Sequence, residues 1–161
     1  MIVTQIHELD YLYALFGRPR RVFALGGHWS SLEVDVEDTA SMLIEFEVDG
    51  RALPVHLQQD YLQRPPSRNC EIVGDLGKVA MDLTASSLIA YDRDGQITEF
   101  KPERFDRNDL FLDELRHFLE CVRTRKKPVV DLADAVRSLQ MVLAARESIA
   151  TGKLIEISEV L

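Results

Sequence analysis

Cysteine is scarce. Cys70 and Cys121 are the only two in 161 residues, and they sit in unrelated segments. A disulfide framework is therefore not expected; both thiols should be reduced and the protein cytoplasmic. No C-x-x-C or H-x-x-x-H spacing is present, which argues against a metal site. No apolar run approaches the ~20 residues of a membrane span, and nothing at the start resembles a signal peptide, so no membrane partner is expected. Positive charge is also short. Nineteen Lys and Arg face 27 Asp and Glu, a formal net charge of −8, which argues against nonspecific nucleic-acid binding. Glycine clusters only at Gly26-Gly27 and Gly74 to Gly77. Neither cluster lies between a strand and a helix, so neither suits a phosphate loop and no cofactor-binding residue is assigned. G-x-S-x-G and internal repeats are absent. What is there is ordinary for a globular chain: 46% hydrophobic and 29% charged residues, enough for a single domain over 1–161 with a real core. The first residues read straight into an element, as expected of a piece cut from something longer.

Thr4 to Gly17 reads as a helix. Thr4 suits the cap, and Gly17 before Arg18-Pro19 suits the stop. Ile6, Leu9, Tyr13 and Phe16 form its apolar stripe. Arg20 to Leu25 reads as a strand ended by Gly26-Gly27, followed by an acidic loop over His28 to Asp38. Met42, Ile44, Phe46 and Val48 alternate with Ser41, Leu43, Glu45 and Glu47 in the next strand. Asp49-Gly50 marks a hairpin whose return strand puts His56, Gln58 and Asp60 on one side. Arg64-Pro65-Pro66-Ser67 breaks the pattern. Arg68 to Val73 and Lys78 to Leu83 form the next hairpin, and Ser87 to Tyr91 with Gln96 to Phe100 another. Connections this short exclude parallel crossovers. From Asn108 the period becomes helical through Phe111, Leu115, Phe118 and Val122 until Pro128. Asp131, with Asp134 at N3, caps a last helix whose apolar face is read as Leu132, Val136, Leu139, Val142 and Leu143. Gly152 closes it, and Lys153 to Ile157 reads as a strand. The order predicts an α+β fold: one mainly antiparallel, open-faced sheet with helices on one face.

Few residues carry chemistry. On the first helix His7, Asp10, Tyr11 and Ala14 share one sector beside the apolar stripe. Such a sector is either a solvated face or a site. His56, Gln58 and Asp60 share a strand face that is either wet or closes over a polar, hydroxyl-rich ligand, which needs convergent donors and acceptors. His28 and His117 read as surface residues.

Several segments taken in order resemble one family. H-x-x-D with an aromatic run and F-G (His7 to Gly17), D-V-E-D-T-A (Asp35 to Ala40), I-V-G-D-L-G-K-V-A-M-D (Ile72 to Asp82), N-D-L-F-L-D-E-L-R-H-F-L (Asn108 to Leu119) and A-A-R-E-S-I-A-T-G-K (Ala144 to Lys153) are similar to the C-terminal domain of the Gfo/Idh/MocA oxidoreductases. These are relatives of glucose–fructose oxidoreductase and inositol dehydrogenase. The resemblance implies a domain that binds substrate and forms oligomers, behind an N-terminal Rossmann domain that is not in this chain. It implies NAD or NADP for the full-length parent, and a sugar, polyol or related small polar substrate. It implies a homodimer through the open sheet face. His7 maps onto the family's acid–base histidine; imidazole suits proton transfer near neutral pH. Asp10, Tyr11, Gln58 and Asp60 are the expected substrate contacts. Many members carry an Asp four residues before that histidine, where this chain has Val3, and the glycine run that normally comes first is replaced by Met1-Ile2. Two readings stand. One is the substrate-side half of an NAD(P)-dependent oxidoreductase, inactive by itself. The other is a ligand-binding or assembly module with the same fold.

Overall fold

The computed structural model describes residues 1–158. The described chain forms three helices and antiparallel sheets, an α+β fold as expected. The strands divide into two sheets of four, where the sequence reading placed a single sheet. The division falls at the Arg64-Pro65-Pro66-Ser67 break. Proline has no N–H to give a ladder, so pairing does not carry through it. Two compact units follow, one of residues 1–62 and 129–161, the other of residues 63–128.

The first unit holds helix α1 (His7–Phe16), strands β1 (Pro19–Gly27), β2 (Thr39–Val48) and β3 (Arg51–Asp60), and two elements from the end of the chain. Those two are named here α3 (Leu132–Thr151) and β8 (Ile155–Glu156), after the elements of the second unit that precede them. The sheet order is β3-β2-β1-β8. The β2–β3 turn has positive φ at Asp49 and Gly50, which is why Asp-Gly serves it. Period-two alternation sets the faces. Val22, Ala24, Ala40, Met42, Ile44, Phe46 and Leu57 are buried beneath the helices with Leu9 and Leu12 of α1. Phe16 of α1 meets Phe46 with ring centroids 5.7 Å apart. Burying each of the larger of these side chains, valine upward, stabilises the unit by about 1.5–3 kcal/mol.

Two local expectations are corrected. Thr4 is not the cap of α1. Residues 2 to 6 are turns, and the cap position is Ile6, in helical conformation and without a side-chain hydrogen bond. The apolar face assigned to α3 is only partly its buried face: Val142 is buried and Val136 half-buried as expected. Leu132, Leu139 and Leu143 are exposed, whereas Ser138, Met141, Val142, Ala144, Ala145 and Ser148 are buried. Small residues let a helix lie close to a sheet, and the hydroxyls cost nothing there because each is bonded. Ser148 Oγ accepts from Ala24 N at 2.8 Å and donates to Lys153 O at 2.6 Å. The Asp131–Asp134 capping box starts α3, and left-handed Gly152 ends it, as read from the sequence.

The second unit holds β4 (Asn69–Gly74), β5 (Gly77–Asp82), β6 (Ser87–Asp92), β7 (Ile97–Phe100) and α2 (Arg107–Thr124). Its sheet is a simple meander, β4-β5-β6-β7. Asp106 caps α2 by accepting from Asn108 N, and no residue of α2 is buried. β5, with Ala80 and Asp82, therefore belongs to this second sheet and does not continue a single sheet with β2 and β3.

Candidate functional site

Register brings three strand ends to one edge of the first sheet. Gly27 lies opposite Thr39, and Thr39 opposite Asp60. The amino end of α1 is tied to the same edge by two glutamines. Gln59 Nε2 donates to Gln5 O at 2.8 Å, and Gln5 Nε2 donates to Asp60 O at 3.3 Å. Gln59 is buried, and its Oε1 accepts no hydrogen bond among the described residues. His7, two residues past Gln5, opens α1 and is exposed.

The loop after β1 completes that edge. Asp38 is fully buried and organises it. Its carboxylate accepts from Ser30 Oγ at 2.6 Å, from Ser30 N at 2.9 Å and from Trp29 N at 3.0 Å. The Ser30 hydroxyl foremost, then the two amides and the nearby His28, hold the carboxyl down at about 2 against the opposing effect of burial. Tyr61 N donates to Asp38 O at 3.0 Å, linking the loop to the end of β3. Trp29, so held, is 77% exposed. A Cβ on Gly27 would come within 2.9 Å of the indole Nε1, so glycine is what lets the indole lie over that strand end.

The expected site residues divide. His7 and Asp60 stand at the same sheet edge through Gln5. Asp60 is half-buried, and its Oδ1 accepts from Leu62 N at 2.8 Å. Gln58 is exposed on the open face, opposite Ser41, whose Oγ lies 2.9 Å from His56 Nε2. Tyr11 is half-buried against the core. Asp10 Oδ1 accepts from Ser138 of α3 at 2.7 Å, and Oδ2 accepts no hydrogen bond among the described residues. No hydrogen bond joins His7 to Asp10 or Tyr11 among the described residues. Gln5, Trp29, Asp38 and Gln59 were not picked out from sequence as site residues.

A nicotinamide dinucleotide needs a strand, a glycine turn and a helix N-terminus in succession, so that amides meet the pyrophosphate. Gly26 and Gly27 end β1 and lead to another strand; Gly74 and Gly77 flank a hairpin turn. The described residues do not fit that group. Among them, no helix is long and apolar enough to cross a membrane.

The family pattern described as the oxidoreductase family, C-terminal alpha/beta domain, matches residues 1–157. No curated protein matches the chain. Among solved structures, an oxidoreductase domain protein from Kribbella flavida is similar at 17% identity, with a TM-score of 0.83 over 96% of this chain and 49% of that one. An oxidoreductase from Agrobacterium radiobacter, in complex with NAD+, L-tartaric acid and magnesium, is similar at 19% identity, with a TM-score of 0.76 over 95% and 47%. Aldose–aldose oxidoreductase from Caulobacter crescentus, complexed with glycerol, is similar at 22% identity, with a TM-score of 0.72 over 94% and 45%. The chain thus spans about half the length of these structures.

Proposed function

Because the chain belongs to the Gfo/Idh/MocA oxidoreductase family, as its C-terminal alpha/beta domain, we propose that it is the substrate-side part of an NAD(P)-dependent oxidoreductase acting on a sugar, polyol or related hydroxyl compound. The observation that carries this reading is His7. It is the first residue of α1, exposed, with an imidazole that makes no hydrogen bond among the described residues. A ring so placed is open to take a proton from a hydroxyl, or to return one to a carbonyl. Asp60 stands at the same edge, and Asp10 keeps Oδ2 for a substrate hydroxyl. Tyr11 and Gln58 are carried as weaker contacts, the first packed against the core and the second on the open face. That open face is proposed to pair two copies of the chain.

The second reading, an assembly or ligand-binding module without chemistry, is favoured by one observation. Among the described residues, His7 has neither Asp10 nor any other carboxylate hydrogen-bonded to orient it. The test is His7→Asn in the domain joined to its nucleotide-binding half. The first reading expects turnover to fall about 10²-fold with the fold intact by circular dichroism. Unchanged turnover favours the second.

A further inference from the structure

The first unit contains a cavity of about 160 Å³ between the carboxyl end of α1 and the opening turns of α3. Tyr13, Arg18, Arg137, Gln140 and Ser158 supply its polar lining; Val136 and Ile157 are among its apolar residues. Tyr13 stands six residues after His7, about 9 Å along the helix axis.

Arg137 is set in place before any ligand arrives. Its Nη1 donates to the Tyr13 hydroxyl at 2.7 Å, and its guanidinium lies over the Tyr13 ring, 5.5 Å from the centroid. The competing carboxylate is weakly held. Asp134 Oδ1 is 3.4 Å from the same Nη1, while Asp134 Oδ2 serves the Asp131 amide at 3.0 Å. Asp131, the other acid at this end of α3, accepts from the amides of Ala133 and Asp134. Among the described residues, Nε and Nη2 of Arg137 make no hydrogen bond. Those two donors lie in one plane, as a bidentate carboxylate requires.

We propose that this cavity binds a small carboxylate with a short branched apolar body, anchored by Arg137. Size and lining select that class. A cavity of roughly 150 Å³ takes a six-carbon ring, so an acid of about five carbons fits here. A bare phosphate would leave the Val136 and Ile157 wall uncovered.

The test is a titration of the 161-residue chain with isovalerate, with neutral isovaleramide and with inorganic phosphate, followed through the backbone amide signals of Gly17 and Arg18. Isovalerate should saturate those shifts with a dissociation constant of about 1 mM. Isovaleramide should bind about tenfold more weakly, the worth of one charge-assisted pair. Phosphate should be weaker than isovalerate. Arg137→Gln should abolish the isovalerate response, and His7→Asn should leave it unchanged. Equal binding of acid and amide, or shifts that do not saturate, would overturn the proposal on the unaltered chain, even if the Arg137 variant failed to fold.

Discussion

Ser138 of α3 donates its hydroxyl proton to Asp10 of α1, across 2.7 Å and 128 positions of sequence. Ser138 is buried and Asp10 half-buried. The bond is therefore partly shielded from water and joins two helices that cover the same sheet face. Ser138→Ala should lower stability by about 1 kcal/mol, below the ~1.5–3 kcal/mol of a fully shielded bond to a charged group, because Asp10 keeps some access to water. A double-mutant cycle with Asp10→Ala, read by urea denaturation, should return a coupling of about 0.5 kcal/mol or more. Additive losses would mean that the hydroxyl and the carboxylate act separately.

Acid should loosen the Trp29 loop before it unfolds the rest. The Asp38 carboxyl is lowered from 3.8 to about 2, through the Ser30 hydroxyl first. A carboxyl depressed in the folded state binds fewer protons there than when unfolded. It adds stability above its unfolded value and loses that contribution as pH falls through its folded one. The window runs from about pH 4 down to about pH 2. Trp29 is the only tryptophan, so its fluorescence reports this loop. The emission should change within that window. Asp38→Asn should show the altered emission already at neutral pH and no acid step.

The legible parts of the fold were those with a strong local signal. Alternation fixed which face of β2 is buried, and the capping box and Gly152 fixed both ends of α3. Asp49-Gly50 gave its turn away because both residues need positive φ. The failures have physical causes. Four of the six buried residues of α3 are serine or alanine, which hydropathy ranks below leucine, so Leu132, Leu139 and Leu143 drew the assignment although they lie outward. Nothing in the composition of the segment Glu33, Asp35, Glu37, Asp38 distinguishes the one buried acid. Only the fold shows that Ser30 and two amides converge on Asp38. Gln59 was hidden by being one position out of phase with the polar face of β3. His7 was singled out by resemblance and Asp10 by its i+3 spacing; the bond from Ser138 to Asp10 could be read only from the tertiary structure.

Gly77 has a reason that no turn motif states. Its φ is +144°, and a Cβ there would overlap the Tyr91 carbonyl oxygen in the neighbouring strand. Gly74, across the same hairpin turn, has open space around it. Gly77→Ala should cost at least about 1–3 kcal/mol in backbone strain alone, while Gly74→Ala should stay within about 1 kcal/mol of the unaltered chain. Thermal melts of the two variants check this. Equal melting temperatures would show that β5 and β6 shift to absorb the methyl.

The open face of the first sheet sets the last expectation. Phe23, Leu25, Ser41, Leu43, His56 and Gln58 point away from α1 and α3, and Leu25 and Leu43 are 60% and 53% exposed. At one end Arg21 donates to Glu45 Oε2 at 2.7 Å; at the other Ser41 meets His56. An apolar centre rimmed by satisfied polar pairs suits burial against its own copy, since a two-fold axis brings the same patch to both sides. A stable pair should bury over ~1,000 Å² in total. The net charge of −8 opposes it at low salt and is largely screened near physiological salt. Light scattering after size exclusion should therefore give a dimer at about 150 mM salt that weakens as salt is lowered. Leu25→Asp with Leu43→Asp should give a monomer with little change in melting temperature, because both side chains are already exposed in the single chain. A monomer from the unaltered chain under those conditions would remove this face as the site of pairing.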